Sequence, residues 1–184
     1  MSNAVETILR SEGLLLRPIW LTKAAVIYEA AYSSRREIGP WLEWCHENYR
    51  QSETEEFLVT LPQRWEIGES YTFSIQDSAT NNFLGGVGLN SFSAAHPFAN
   101  LGYWVRTDAC GRGVAAKATR ALAAWALYSL NLQRIEIVAA IGNIASQRVA
   151  EKAGAKREGV LRKRLVLHGT PTDAVMFSLV AGDF

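Results

Sequence analysis

The sequence is short of the residues that mark several protein classes, and each shortage excludes something. Two cysteines, Cys45 and Cys110, stand in 184 residues, too few for a disulfide framework in a chain long enough to bury its own core. Three histidines, His46, His96 and His168, show no metal-ligand spacing with those cysteines, so no metal site is expected. No run reaches the roughly 18 apolar residues that a membrane span needs. Met1 to Arg10 is mixed polar and acidic, unlike a leader with an apolar centre. Nineteen basic against 18 acidic residues leave a net charge of +1, which removes nucleic acid as a default partner. There is no internal repeat, low-complexity segment or Pro/Gly/Ser-rich linker. What remains is a chain with 48% apolar residues, read as one domain over 1–184, cytoplasmic, with reduced thiols.

Periodicity divides the chain into elements. Leu14–Ile19 reads as a first strand that Pro18 weakens, placing it near an edge. Residues 21–37 read as a helix. Ser52 and Glu55 have capping-box spacing at the start of a second helix running toward Gly68. Tyr71–Gln76 and Phe83–Leu89 flank a polar turn as a hairpin, and Asn100–Val105 forms a further strand. Ala115, Ala118, Leu122, Ala126 and Leu130 recur every three to four residues, giving a helix with a small-residue face suited to close packing on a sheet. A strand at Arg134–Ala139, a short helix over Ile144–Ala153 stopped by Gly154, and strands Gly159–Leu167 and Asp173–Leu179 follow. The pattern predicts an α/β fold with a mixed sheet of about six to seven strands and about four helices.

Two segments carry chemistry. Cys110-Gly111-Arg112-Gly113-Val114-Ala115-Ala116 is a glycine turn that opens a helix. Glycine permits sharp turning and close approach, and the helix start offers N–H groups without intrahelical partners, so the segment suits a phosphate or pyrophosphate. Arg112 can add charge. An ordinary tight strand-to-helix loop would look the same, and neither a Walker loop nor a full GxGxxG is present. In the next helix Asn143, Ser146 and Ala150 share one face, read as facing a ligand, while Ala145, Val149 and Ala153 share another, read as core. Asn143 is equally a favoured N-cap.

In this order, the two segments resemble the GCN5-related N-acetyltransferase (GNAT) superfamily. Its cofactor-loop pattern, Gln/Arg-x-x-Gly-x-Gly/Ala, is matched by Cys110-x-x-Gly113-x-Ala115, with the first position departing. Asn143-x-x-Ser146 and Glu151-Lys152-x-Gly154 resemble its other cofactor segment. Trp41-Leu42-Glu43-Trp44, Gly102-Tyr103-Trp104, and the tail from Glu158-Gly159-Val160-Leu161-Arg162 through Asp173 to Phe177-Ser178-Leu179 are similar to the RimJ/RimL-like branch of ribosomal-protein N-terminal acetyltransferases. The resemblance implies a partly splayed sheet, with acetyl-CoA as cosubstrate. It also implies that backbone groups around Tyr103, Trp104, Val105 and Arg106 hold the pantetheine arm, and that amides of Gly111–Ala116 hold the pyrophosphate.

Amine attack on a thioester needs a neutral amine and stabilisation of the departing thiolate. A peptide α-amine, with a pKa near 8, is already partly neutral. The superfamily's usual tyrosine donor aligns with Ala150, so Ser146, one turn earlier, takes that role by resemblance. Where the branch often has a glutamate, two residues before Gly-Tyr-Trp, this chain has Asn100, which cannot accept a proton but can hold a water; Glu37, Glu43 and His96 are the alternative bases. Trp41 and Glu37 are placed with the acceptor. A covalent acyl-enzyme on Cys110 lacks a matched histidine. The reading is direct transfer from acetyl-CoA to a peptide or protein N-terminus, by an enzyme compatible with a homodimer. Acetylation of a small amine, polyamine or antibiotic is the enzymatic rival, and a non-catalytic acyl-CoA-binding module the rival from another class.

Overall fold

The computed structural model describes residues 7–184. Eight strands form one sheet: β1 Leu9–Ser11, β2 Leu14–Pro18, β3 Tyr71–Asp77, β4 Phe83–Asn90, β5 Phe98–Val105, β6 Arg134–Ala140, β7 Lys156–Leu167 and β8 Thr170–Leu179. Five helices accompany them: α1 Ala24–Ser33, α2 Arg35–Ile38, α3 Gln51–Glu66, α4 Val114–Ser129 and α5 Ile144–Lys152. The strand order is β1-β2-β3-β4-β5-β6-β8-β7. Only β5 and β6 are parallel; every other neighbouring pair is antiparallel. The mixed α/β sheet expected from the sequence is therefore present, with one strand and one helix more than the pattern indicated.

The differences have local causes. Leu9–Ser11 is three residues long, too short to show alternation, and it pairs with Leu14–Leu16. β2 is thus the second strand from the sheet edge, near the edge as expected. Pro18 is tolerated because it lies past the end of β1, where one flank of β2 is free. The helix expected over 21–37 breaks at Ser34, a buried residue. Its hydroxyl donates to the carbonyl of Ala30 at 2.8 Å and accepts the N–H of Thr107 at 3.0 Å. The break thus ties α2 to the segment that follows β5. The start of α3 is shifted from the expected box: Arg50 is the N-cap, and Glu53 rather than Glu55 accepts the N–H of Arg50, at 2.8 Å. By sequence spacing only Ser52 and Glu55 fit the capping box, since Arg50 has no capping hydroxyl, and the backbone nonetheless starts the helix after Arg50 and selects Glu53.

The small-residue face of α4 packs on the sheet as expected, with Ala118, Leu122 and Ala126 at 0% exposure. At the other end, Arg134 of β6 and Glu158 of β7 meet across the intervening β8. The guanidinium donates two hydrogen bonds to the Glu158 carboxylate, which also accepts from Ser178 at 2.7 Å. These bonds, Arg134 first and Ser178 second, hold the Glu158 carboxyl down to about 2. A depressed carboxyl pKa contributes stability above the unfolded value of 4.5 and loses it as pH falls toward about 2. Because Arg134 and Glu158 keep 29% and 41% of their side-chain surface exposed, the contribution is modest. Urea denaturation of Glu158→Gln between pH 4.5 and 2 is expected to show a shallower acid loss of stability than the unsubstituted chain; identical slopes would contradict the assignment.

Candidate active site

The pairing of β5 with β6 lasts only three residues, Phe98↔Arg134, Ala99↔Ile135 and Asn100↔Glu136. Beyond it the two strands part. From Leu101 to Val105 the β4 side of β5 remains laddered, while its other edge faces a cleft of about 330 Å³. Strand residues Leu101–Val105 and Ile137–Ala140 form its sides, and Asn143, Ala145, Ser146 and Val149 of the α5 segment close one end. Unpaired backbone groups on a strand edge need partners. A cleft lined by such an edge is suited to an extended amide-bearing chain, as in strand addition.

The glycine turn lies beside it. Gly111 and Gly113 have φ of +78° and +75°, and Gly113 is the N-cap of the 16-residue α4. A side chain at either would be strained in this conformation. Arg112 is exposed, whereas Val114 and Ala116 are buried under the helix, so they offer backbone N–H groups rather than side chains. Ala115 reaches the cleft. Arg106 is ion-paired with Asp108, and its N–H is used by the carbonyl of Leu84.

On α5, Asn143 caps the helix, its Oδ1 accepting the N–H of Ser146 at 3.0 Å. The expected division of this helix into faces is corrected. Ala145 and Val149 line the cleft together with Ser146, and Ala150 is fully buried at 0% exposure. A helix set against a diverging sheet turns a wider arc toward the opening than a two-faced reading allows.

Tyr103 of β5 reaches across the cleft to α5. Its phenol donates to the carbonyl of Ser146 at 2.8 Å and lies 3.1 Å from the Ser146 hydroxyl. With the phenolic proton committed to the carbonyl, the serine hydroxyl is the donor in the second contact. Burial pushes the Tyr103 phenol up to about 12, so it stays protonated at neutral pH. The sequence placed Tyr103 here for its backbone alone; nothing in the sequence aims a β5 hydroxyl at α5.

A second cavity, of about 380 Å³, opens where β3, β4 and β5 meet α1 and α3. Leu42, Gly102, Tyr103 and Trp104 border both openings. Asn100 sits at the last residue of the β5–β6 pairing, and its amide donates to Asn90 Oδ1 at 3.1 Å. Asn90 lines the second cavity. The β4–β5 register that brings it opposite Asn100 becomes visible only once both strand lengths are known.

Trp41 and Glu37 line the cleft beside Ser146 and not the second cavity. The Trp41 ring lies against Gly142, where an added Cβ would sit 3.5 Å from it, and the Glu37 carboxylate accepts from the Thr107 hydroxyl at 3.0 Å. Glu43 accepts the N–H of His168, and the His168 ring contacts the carbonyl of Gly39 at 3.0 Å. The stretch 39–44 therefore spans the cleft mouth from α2 to the β7–β8 turn. His96 is exposed. Cys110 borders the cleft, but burial first, then the charges of Glu37 and Asp108, raise its thiol pKa, which disfavours a nucleophilic thiolate. Among the described residues no group of three or more His, Cys, Asp or Glu could hold a metal, and no helix is long and apolar enough to cross a membrane.

Comparison with known proteins agrees with this geometry. The acetyltransferase (GNAT) domain family matches residues 13–156. YdaF of Bacillus subtilis (strain 168), provisionally named a ribosomal N-acetyltransferase, is 26% identical over 92% of each chain. A Vibrio cholerae structure, provisionally named a ribosomal-protein-serine acetyltransferase, superposes with a TM-score of 0.83 at 28% identity, covering 96% of this chain and 98% of that one. The fold is shared with Mycobacterium smegmatis RimJ in complex with CoA-disulfide, with a TM-score of 0.84 at 22% identity over 97% and 88% of the two chains. The chain belongs to the GNAT acetyltransferase family. It is an acyltransferase of a family whose acyl donor is acetyl-CoA. The parted strands, the free edge of β5 and the glycine turn at the start of α4 fit that donor's amide-bearing arm and its pyrophosphate.

The Asn143 cap gives a test independent of catalysis. Asn143→Ala is expected to cost about 1 kcal/mol of stability through loss of the N-cap bond; unchanged urea unfolding would show that α5 does not depend on it.

Proposed function

We propose that the chain is an N-acetyltransferase acting by direct attack in a ternary complex, with a peptide or protein N-terminal α-amine as acceptor. The observation that carries this reading is the meeting of two cavities at Gly102–Trp104, beside paired hydroxyls from Tyr103 and Ser146. One opening suits the acyl donor, held by the backbone of Tyr103–Val105, the turn amides of Gly111–Ala116, and Asn143, while the Arg106 backbone is taken by Leu84 and Ala109. The other admits the amine. RimJ/RimL-like neighbours and the relative named for ribosomal substrates support a protein acceptor.

In this reading the Ser146 hydroxyl turns from the Tyr103 oxygen to donate to the thiolate as it leaves, while Tyr103, held protonated and bonded to the Ser146 carbonyl, keeps the start of α5 in place. The amine nitrogen forms its bond to the acetyl carbon as the carbon–sulfur bond breaks. An ammonium acceptor first gives up one proton, and a second leaves the nitrogen after attack. Asn100, with Asn90, holds the water that carries these protons to solvent, and the thiolate takes one back. A base of matched pKa is dispensable when the acceptor pKa is near 8. Trp41 and Glu37 form the cleft mouth and position the arriving groups.

Free thiol should appear when a peptide amine is added to protein and acetyl-CoA. Binding of acetyl-CoA with no thiol release from any amine would instead identify an acyl-CoA-binding module. Removing one preorganised donor to a developing anion typically costs about 10²–10³ in kcat. Ser146→Ala should therefore lower kcat by that factor while calorimetric coenzyme A affinity holds. Wild-type turnover with chemistry rate-limiting would remove Ser146 from the mechanism.

A further inference from the structure

The second cavity has a built floor. Gly88 and Gly102 pair directly across β4 and β5, and Gly86 pairs with Trp104 one step along the same face. A Cβ on Gly86 would lie 2.8 Å from the Trp104 indole nitrogen and 3.6 Å from Ile19, and one on Gly88 would lie 3.3 Å from the Thr72 hydroxyl. All of these residues line the second cavity, so the bare Gly88–Gly102 pair faces it. A Cβ on Gly102 would meet nothing within 4 Å, and its φ is not in the left-handed range. Glycine is thus not demanded there by backbone conformation; its effect is to leave room.

The walls around that room are bulky and apolar. Ile19, Ile27, Tyr49, Phe57 and Trp104 line it, and Trp44 packs its ring against those of Trp104 and Tyr49 at 5.7 and 5.4 Å. One carboxylate borders it. Glu53 is fixed by the N–H of Arg50 and by His46, and these bonds, the backbone one first, keep its pKa below the ordinary glutamate value. An apolar cavity of about 150 Å³ accepts a benzene ring. This one, at about 380 Å³, takes a large side chain with space to spare and would be left mostly empty by a serine or alanine side chain.

We infer that the acceptor carries an aromatic or large aliphatic group next to its amine, seated on the Gly88–Gly102 floor, with the Glu53 carboxylate favouring its cationic form on entry. This rests on the N-acetyltransferase reading and narrows its acceptor class. The shared chemistry is met by a peptide beginning with Phe or Leu and by a free arylalkylamine.

Three amines are compared by thiol release at fixed acetyl-CoA: a Phe-headed peptide, the same peptide headed by Ala, and phenethylamine. Burial of a large apolar side chain corresponds to about 10–100-fold in kcat/KM, which is the expected advantage of the Phe-headed over the Ala-headed peptide. With rates compared per neutral amine, phenethylamine matching the Phe peptide would identify a free amine as the source, and a large deficit would identify a peptide; both outcomes uphold the inference. Gly102→Val, which places a branched side chain on the floor, is expected to abolish the Phe preference, and calorimetric acetyl-CoA binding is expected to persist in Phe57→Ala, a position outside the donor cleft. Phe57→Ala, at an exposed position of α3, opens a wall and should reduce the preference several-fold even if Gly102→Val does not fold. Equal or better use of the Ala peptide, or a preference untouched by both variants, would overturn the inference alone. Preference for longer acyl donors that Gly102→Val removes would assign the cavity to the acyl chain and overturn it too. No thiol release from any amine would overturn the transferase reading itself.

Discussion

Parallel pairing of β5 and β6 ends at Asn100 and Glu136, and the organisation of the site depends on that divergence. A sheet interior normally satisfies its backbone groups on both edges of each strand, and a free edge inside a protein must find other partners. Here β4 holds one side of Leu101–Val105 while the opposite side is released. The release is sustained by neighbours that hold the two strands apart. β8 pairs with β6 from Ile135 to Ala140 on its far side, the Arg134–Glu158–Ser178 network fastens β6, β7 and β8 together, and α4 packs its smallest face under both halves. The opening is therefore a consequence of register, and it is available to an amide-bearing arm without rearranging the sheet.

Divergence alone would give a slot without chemistry. Tyr103 and Ser146 supply the groups, one from each side of the slot, in mutual contact. The buried phenol cannot ionise at neutral pH, so the pair stores donors rather than a base. In the proposed reading, proton removal then falls to water held by Asn100 and Asn90. This division of labour suits an acceptor that is already partly neutral and is poorly suited to one of high pKa. Residues 39–44 complete the enclosure by linking α2 to the β7–β8 turn through Glu43, His168 and Gly39.

Much of this was legible in the sequence, and the failures are instructive. The period change at Ala115 and the stripe Ala118–Leu122–Ala126 located α4 and its packed face, because a helix against a sheet must repeat every three to four residues. Gly111 and Gly113 were readable as a turn, and their positive φ confirms why glycine stands there. By contrast, β1 was too short to carry a period. Pro18 marked a strand near the edge, and β2 is the second strand of the sheet with Pro18 on a flank that β1 leaves free. The Ser52–Glu55 spacing pointed to the wrong cap for α3, because Arg50 carries no capping signal and only the backbone shows Glu53 accepting its N–H. The cleft-facing arc of α5 depends on the angle at which the sheet opens, which no local pattern encodes. The Tyr103–Ser146 contact spans 43 positions, and the Gly88–Gly102 floor requires the β4–β5 register; both are tertiary facts.

In the proposed mechanism the gap between β5 and β6 receives the acyl donor and delivers its sulfur to Ser146. A crystal structure of the protein with coenzyme A tests it most directly. The pantetheine arm is expected alongside Leu101–Val105, making backbone hydrogen bonds to the free edge of β5, with the pyrophosphate at Gly111–Ala116 and the sulfur within hydrogen-bond reach of the Ser146 hydroxyl. Coenzyme A bound elsewhere, or a sulfur directed away from Ser146 with the Tyr103–Ser146 bond intact across an empty gap, would contradict it.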